Sequence, residues 1–387
     1  MSKWRSILLF ALCAALLLPS LALFCYAEQG EAAVAPSVSA ESAILMEAQS
    51  AEIVFSKRAD FPLPMASTTK IMTALTALSL APADTVIKVD ARAVGVEGSS
   101  VYLVENEELT LEELLYALLL ESANDAAVAI AIGLCGSVEA FADNMNRIAG
   151  ELGLLQTHFE NPHGLDSSQH FTTAYELALI ARAALQNPML KTIFSTKKTT
   201  ISHASEEQER YLVNHNKLLR TYDGCVGVKT GFTKRSGRCL VSAAERDGVL
   251  LIAVTLNAPN DWMDHTAMLD YGFTKYRSVI LCEAEAILLS CPVVGGEESC
   301  VTVRNTDALR VTLPIGHGKV TKTVELPPFE YAPIAEGTVL GHVVFRCDTD
   351  GDGTQEVVGI ADLVAADAVV KVPRRGFWAW LKGLFGL

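Results

Sequence analysis

Pro64-Met65-Ala66-Ser67-Thr68-Thr69-Lys70-Ile71-Met72-Thr73-Ala74-Leu75 sets the reading of this chain. Pro62 and Pro64 close what precedes it, and Ile71, Leu75 and Leu78 then fall on one helical stripe. Ser67 therefore stands at a helix start with Lys70 one turn on, and residues three apart share a helix face. A hydroxyl is a poor nucleophile until a base takes its proton. A lysine supplies that base when burial and a neighbouring positive charge lower its pKa. The pair reads as nucleophile Ser67 and general base Lys70.

Outward from this stretch the hydrophobic period assigns the elements. Upstream, Ala43 to Met46 and Ile53 to Phe55 read as two strands joined by a polar turn. Downstream, Leu111 to Leu120 and Ala126 to Leu134 are apolar helical runs flanking Ser122-Ala123-Asn124, and helices so apolar are buried inside a large domain. Gly227 to Gly231, Cys239 to Ala244 and Leu250 to Leu256 read as strands, the last two joined through Asp247-Gly248, a hairpin signal. Met263 to Gly272 closes the run as a helix. Strands, then helices, then strands predict an α+β fold in which helices cover an antiparallel sheet. After about Lys275 short β-rich segments alternate with Gly and Pro, which predicts a small all-β domain.

Two further strings complete the chemistry. Ser122 is placed to relay a proton from Lys70 to a leaving amine, and Asn124 to hold Lys70 and a substrate amide. In Lys229-Thr230-Gly231, the Lys229 ammonium and Thr230 hydroxyl suit a substrate carboxylate, and Lys229 is the neighbour that lowers the pKa of Lys70. The backbone N–H groups of Ser67 and Phe232 would form an oxyanion hole. Each string alone is common; their order and placement together carry the reading.

With these motifs the chain resembles the low-molecular-mass penicillin-binding proteins, serine D-alanyl-D-alanine carboxypeptidases. Val96-Glu97-Gly98-Ser99-Ser100-Val101-Tyr102-Leu103, Asn161-Pro162-His163-Gly164-Leu165-Asp166 and Gly227 to Thr233 extend the resemblance. It implies a β-lactamase/transpeptidase-like catalytic domain over 39–275, its sheet covered by helices on both faces, and a β-rich domain over 276–372. It also implies removal of the terminal D-Ala from peptidoglycan stem pentapeptides through a Ser67 acyl-enzyme that β-lactams block, with no cofactor. Ala123 stands where many relatives have Gly, and Phe232 where some have His. The alternatives are a class A-like β-lactamase, a D,D-endopeptidase and a non-catalytic cell-wall-binding relative. The first needs a Glu to activate the deacylating water, and no Glu-x-x-x-Asn run lies between Asn124 and Lys229.

The ends of the chain indicate where it works. Lys3 and Arg5 precede the apolar run Ile7 to Phe24, and Cys25-Tyr26-Ala27 ends it, which predicts a signal peptide over 1–27 and an exported protein. A mobile leader over 28–38 follows. Over 373–387, Phe377, Trp378, Trp380, Leu381, Leu384 and Phe385 fill one half of a helical wheel behind Arg374 and Arg375. The segment is too short to span a bilayer and suits an interfacial anchor on the outer face of the cytoplasmic membrane. Net charge of −14 argues against nucleic acid as a partner.

No metal is expected. His163 and His170 lack the spacing of a helical zinc pair, and His163-Gly164-Leu165 reads as a structural loop. Asp348-Thr349-Asp350-Gly351-Asp352-Gly353 imitates a calcium loop but has Gly359 at the twelfth position, so it reads as a solvated hairpin turn. Seven cysteines follow Ala27. If Lys234 to Gly237 turn, Cys239 faces Phe232, and seven strand residues, about 23 Å, separate that position from Cys225. A disulfide needs Cα atoms within about 7 Å, so free thiols are expected there.

Overall fold

The computed structural model describes residues 34–205 and 207–372. The expected signal peptide and C-terminal anchor helix lie outside the described residues.

A five-stranded antiparallel sheet, ordered β2-β1-β9-β8-β7, organises the catalytic region. Its strands are β1 (Ser42–Glu47), β2 (Ile53–Lys57), β7 (Cys225–Thr233), β8 (Gly237–Arg246) and β9 (Val249–Leu256). Small two-stranded sheets pair β3 (Val86–Lys88) with β4 (Glu108–Thr110), and β5 (Lys198–Ser202) with β6 (Glu209–Val213). Side-chain alternation splits each central strand between two cores. In β1, Ile44 and Met46 join one cluster and Ala43 and Leu45 the other; in β9, Ile252 and Val254 oppose Leu251 and Ala253. Both faces are therefore covered, which is why these strands read as continuous apolar runs.

The larger core holds α1 (Lys70–Leu80), α2 (Leu111–Leu120), α3 (Asn124–Cys135), α4 (Val138–Glu151), α5 (Ala174–Leu185) and α6 (Pro188–Ser195). The short α7 (Leu218–Thr221) and then α8 (Asp261–Phe273) pack on the opposite face. A capping box starts α2: Glu113 N donates to Thr110 Oγ1 at 3.2 Å and Thr110 N to Glu113 Oε2 at 2.9 Å. Among the described residues no single helix is long and apolar enough to cross a membrane; α3 is apolar because it is buried nearly all round.

The structure changes three local expectations. Ser67 lies in a 3₁₀ turn, Ala66–Thr69, and Lys70 begins the α-helix proper. The β7–β8 turn closes one residue early, through reciprocal bonds between Thr233 and Ser236, so Gly231 rather than Phe232 faces Cys239 and Arg238 faces Phe232. Within the β-rich stretch expected after Lys275, Ala368 to Val372 forms no strand and makes only isolated bridges, at Val369 and Lys371. Cys225 pairs in register with Ala244, and all seven described cysteines are free.

From Tyr276 to Val372 the described residues form only strands and their connections: β10 (Tyr276–Cys282), β11 (Leu288–Val294), β12 (Cys300–Arg304), β13 (Leu309–Pro314), β14 (Thr321–Glu325), β15 (Glu330–Tyr331), β16 (Val339–Cys347) and β17 (Glu356–Ala365). Six of these form a sheet ordered β14-β16-β17-β12-β11-β15 over a core that includes Val303, Val343, Phe345 and Leu363, while β10 pairs with β13. Between β16 and β17 the Asp348, Asp350 and Asp352 carboxylates accept backbone N–H bonds from Gly351, Gly353, Asp352 and Thr354, as a hairpin turn does.

Candidate active site

Ser67 enters the site on a constrained turn. Ala66 before it has φ +48°, left-handed for a residue with a Cβ. Gly164 packs against this turn so closely that a Cβ there would lie 1.9 Å from Ala66 O. Lys70 follows one turn later, its side chain completely buried. Its Nζ donates to Ser67 Oγ at 3.2 Å, Asn124 Oδ1 at 2.6 Å and the His163 carbonyl at 2.6 Å. None of these acceptors is a carboxylate. Burial first, and repulsion from Lys229 second, hold the Lys70 pKa well below its ordinary value, with Asp125 opposing. A buried amine with a lowered pKa and no carboxylate among its hydrogen-bond partners, within reach of a hydroxyl, has the geometry that a base toward that hydroxyl needs.

Asn124, the first residue of α3, locks this amine to a neighbouring loop. Its Nδ2 donates to Glu97 O at 2.6 Å and its backbone N to Ser99 O at 2.7 Å, which fixes the amide with Oδ1 toward Lys70. Asp125 gathers the rest of the loop: its carboxylate accepts from Ser100 Oγ, Val101 N and Leu103 N. Arg210 fastens the far end, paired with Glu107 and donating to the carbonyls of Val101 and Tyr102. Ser122, just before α3, has φ +61°.

The other wall is β7, the edge strand of the sheet, whose outer side has no strand partner among the described residues. Lys229 is buried, donates to Thr230 O at 2.9 Å, and has its pKa lowered to about 7 by burial, with Glu121 opposing. Gly231 approaches Ser67: a Cβ on it would lie 3.0 Å from Ser67 N. A cavity of about 360 Å³ opens between these walls, lined by Ser67, Ser122, Thr230, Gly231 and Phe232. Lys70, Asn124 and Lys229 are buried and are not among its lining residues. The structure thus gathers the expected residues around one site.

It also adds lining residues the sequence reading missed: Ser99, His215, Lys217, Arg238 and Trp262. Arg238 projects beside Phe232, its cross-strand partner, and is held by the buried Asp261 at 3.0 Å. The hairpin register was the signal that could have found it. Ser99, His215 and Lys217 come from loops and Trp262 from the first turn of α8, and none carries a spacing signature.

The 160–170 segment supports the site from behind. Asn161 Oδ1 accepts from Gly164 N at 2.7 Å and Asn161 Nδ2 donates to Leu165 O, which presents the His163 carbonyl to Lys70. Thr233 Oγ1 donates to Asp166 Oδ1 at 3.0 Å, tying the segment to the β7–β8 hairpin. The His163–Leu165 backbone thus reaches the Lys70 amine directly.

A family model, Peptidase_S11, D-alanyl-D-alanine carboxypeptidase, matches residues 29–260. The chain is 29% identical to the D-alanyl-D-alanine carboxypeptidase DacF of Bacillus subtilis, over 89% of this chain and 91% of that protein. It is 32% identical to DacC of Escherichia coli, covering 81% of each. Among solved structures, penicillin binding protein 5 of Haemophilus influenzae superposes with a TM-score of 0.64 at 26% identity, over 88% of this chain and all of that one. The Streptomyces K15 DD-transpeptidase superposes with a TM-score of 0.59 at 31% identity, over 62% of this chain and 99% of that one.

Proposed function

Because the chain belongs to the D-alanyl-D-alanine carboxypeptidase family, we propose that it removes the terminal D-Ala of peptidoglycan stem peptides through an acyl-enzyme at Ser67. The observation that carries this reading is the buried, carboxylate-free Lys70 amine at 3.2 Å from the Ser67 hydroxyl. Lys229 and Thr230 receive the substrate carboxylate. Lys70 takes the Ser67 proton as Oγ attacks the carbonyl of the penultimate D-Ala, and the N–H groups of Ser67 and Phe232 hold the developing oxyanion. Ser122 passes the proton to the leaving amine, the peptide bond breaks, and D-Ala departs. Water then cleaves the ester, releasing the shortened peptide and restoring Ser67.

A β-lactam follows the same first steps, but its amine stays tethered to the acyl group. Asp261, the one carboxylate lining the cavity among the described residues, is paired with Arg238, and no Glu lines it. That disfavours rapid β-lactam hydrolysis, as the absent Glu-x-x-x-Asn run does. The substrate places the enzyme outside the cytoplasm. On sequence alone, the N-terminal signal exports it and the Trp-rich C-terminal segment holds it at the membrane surface.

Incubation with fluorescent penicillin and with a D-Ala–D-Ala peptide tests the reading. Expected are a stable label that maps by mass spectrometry to the peptide containing Ser67, and release of free D-Ala. Rapid penicillin turnover would transfer the protein to the β-lactamases, and a label elsewhere would remove Ser67 from its role.

The two buried lysines also fix a pH profile. Acylation needs neutral Lys70, so it falls as pH drops through the folded pKa of Lys70; carboxylate binding needs charged Lys229, so it weakens as pH rises through about 7. Lys229→Gln is expected to raise KM roughly 10- to 100-fold, the value of about 1.5–3 kcal/mol for a lost charged hydrogen bond. It also removes the positive neighbour of Lys70, so the acid limb of kcat/KM should move to higher pH. An unmoved acid limb would mean that the two lysines do not interact.

A further inference from the structure

Behind the nucleophile stands a chain of buried polar groups to which the proposed chemistry assigns no part. Thr69 Oγ1 donates to Ala66 O at 2.8 Å, gripping the left-handed residue that precedes Ser67. The same Oγ1 lies 2.8 Å from His170 Nε2. The ring's other side settles the direction of that bond. Glu160 N–H donates to His170 Nδ1 at 3.1 Å, so Nδ1 is an acceptor and the neutral ring carries its proton on Nε2. His170 therefore donates to Thr69, which leaves the Thr69 proton for Ala66 O. Phe159 packs edge-on against the imidazole at 5.8 Å, and both Thr69 and His170 are buried.

We propose that His170 is a positioning residue for the nucleophile, holding the strained Ala66–Ser67 turn through Thr69 so that Ser67 Oγ faces Lys70. This inference rests on Ser67 being the nucleophile. A non-glycine residue keeps a left-handed backbone only where its surroundings over-determine it. Here Gly164 closes one side of the Ala66 carbonyl and the His170–Thr69 chain satisfies it. The chain needs a neutral ring, because a proton on Nδ1 would set one donor against another at Glu160 N–H. Burial keeps His170 neutral down to about pH 4; Lys70 on α1 and His158 on the same segment reinforce it, and Glu160 opposes. His163, also facing Lys70 and His170, is held at about 3.

The test is single-turnover acylation of the full chain by fluorescent penicillin, resolved into the dissociation constant of the encounter complex and the acylation rate constant. His170→Ala is expected to lower the rate constant about 10- to 100-fold, the scale of a small misplacement of a reacting group, and to leave the dissociation constant unchanged. His170→Gln keeps an amide that donates to Thr69 Oγ1, and should recover most of the rate. Thr69→Val, nearly isosteric, should match His170→Ala even if the latter folds poorly, and the double variant should be no slower than the slower single. An unchanged rate constant in both single variants, a Gln variant no better than Ala, or fully additive losses would each overturn the proposal. An unlabelled wild type would instead overturn the parent reading.

Discussion

Lys70→Met is expected to slow acylation by fluorescent penicillin about 10³- to 10⁴-fold, the upper range for removing a positioned general base. Methionine keeps the length and apolar stem of the side chain and deletes only the amine. The fold should survive, because the amine is a buried group that burial already discourages from charging. The deletion does orphan Asn124 Oδ1 and the His163 carbonyl, each at about 1–3 kcal/mol. Lys70→Arg should fail equally, since a guanidinium does not give up its proton in proteins. The residual rate of Lys70→Met should also lose the acid limb of the wild-type profile. A methionine variant that labels within tenfold of wild type would place the base elsewhere.

The legible part of this protein is the part where chemistry fixes residue types at fixed spacing. Ser67 and Lys70 must share one turn of chain, and Lys229 must sit on an edge strand, so both can be read from spacing. The inference that Lys229 depresses Lys70 holds, although burial acts more strongly than that charge. What stayed hidden has physical reasons. The His163 carbonyl is a backbone group with no residue signature, and it reaches Lys70 from 93 positions away. Arg238 was lost to a one-residue error in the β7–β8 turn, which moves a side chain to the other face. The helix α4 is a different case: Ser137 caps it and Phe141, Met145 and Ile148 form its buried stripe, signals present in the sequence but not among the elements expected above.

Asp125→Ala is expected to destabilise the catalytic region by about 3–5 kcal/mol, the range reserved for breaking a buried polar network. The Asp125 carboxylate is buried and accepts from Ser100 Oγ at 2.6 Å, from Val101 N at 3.2 Å and from Leu103 N at 3.1 Å. Alanine supplies no acceptor, so the two backbone N–H groups, on residues that are themselves buried, are left without a partner. Each costs about 1–3 kcal/mol. Asp125→Asn keeps one acceptor oxygen and should lose roughly half as much. The damage reaches the site by a short path. The loop that Asp125 gathers also carries the Glu97 and Ser99 carbonyls that hold Asn124, and Asn124 holds Lys70. Folded Asp125→Ala should therefore acylate more slowly, with its loss traced to the rate constant rather than to carboxylate binding on the opposite wall. Denaturant melts and single-turnover labelling on the same preparation measure both effects. A loss below about 1 kcal/mol would mean that water or a rearranged loop satisfies those donors, and that the anchoring falls to Arg210 and Glu107 instead.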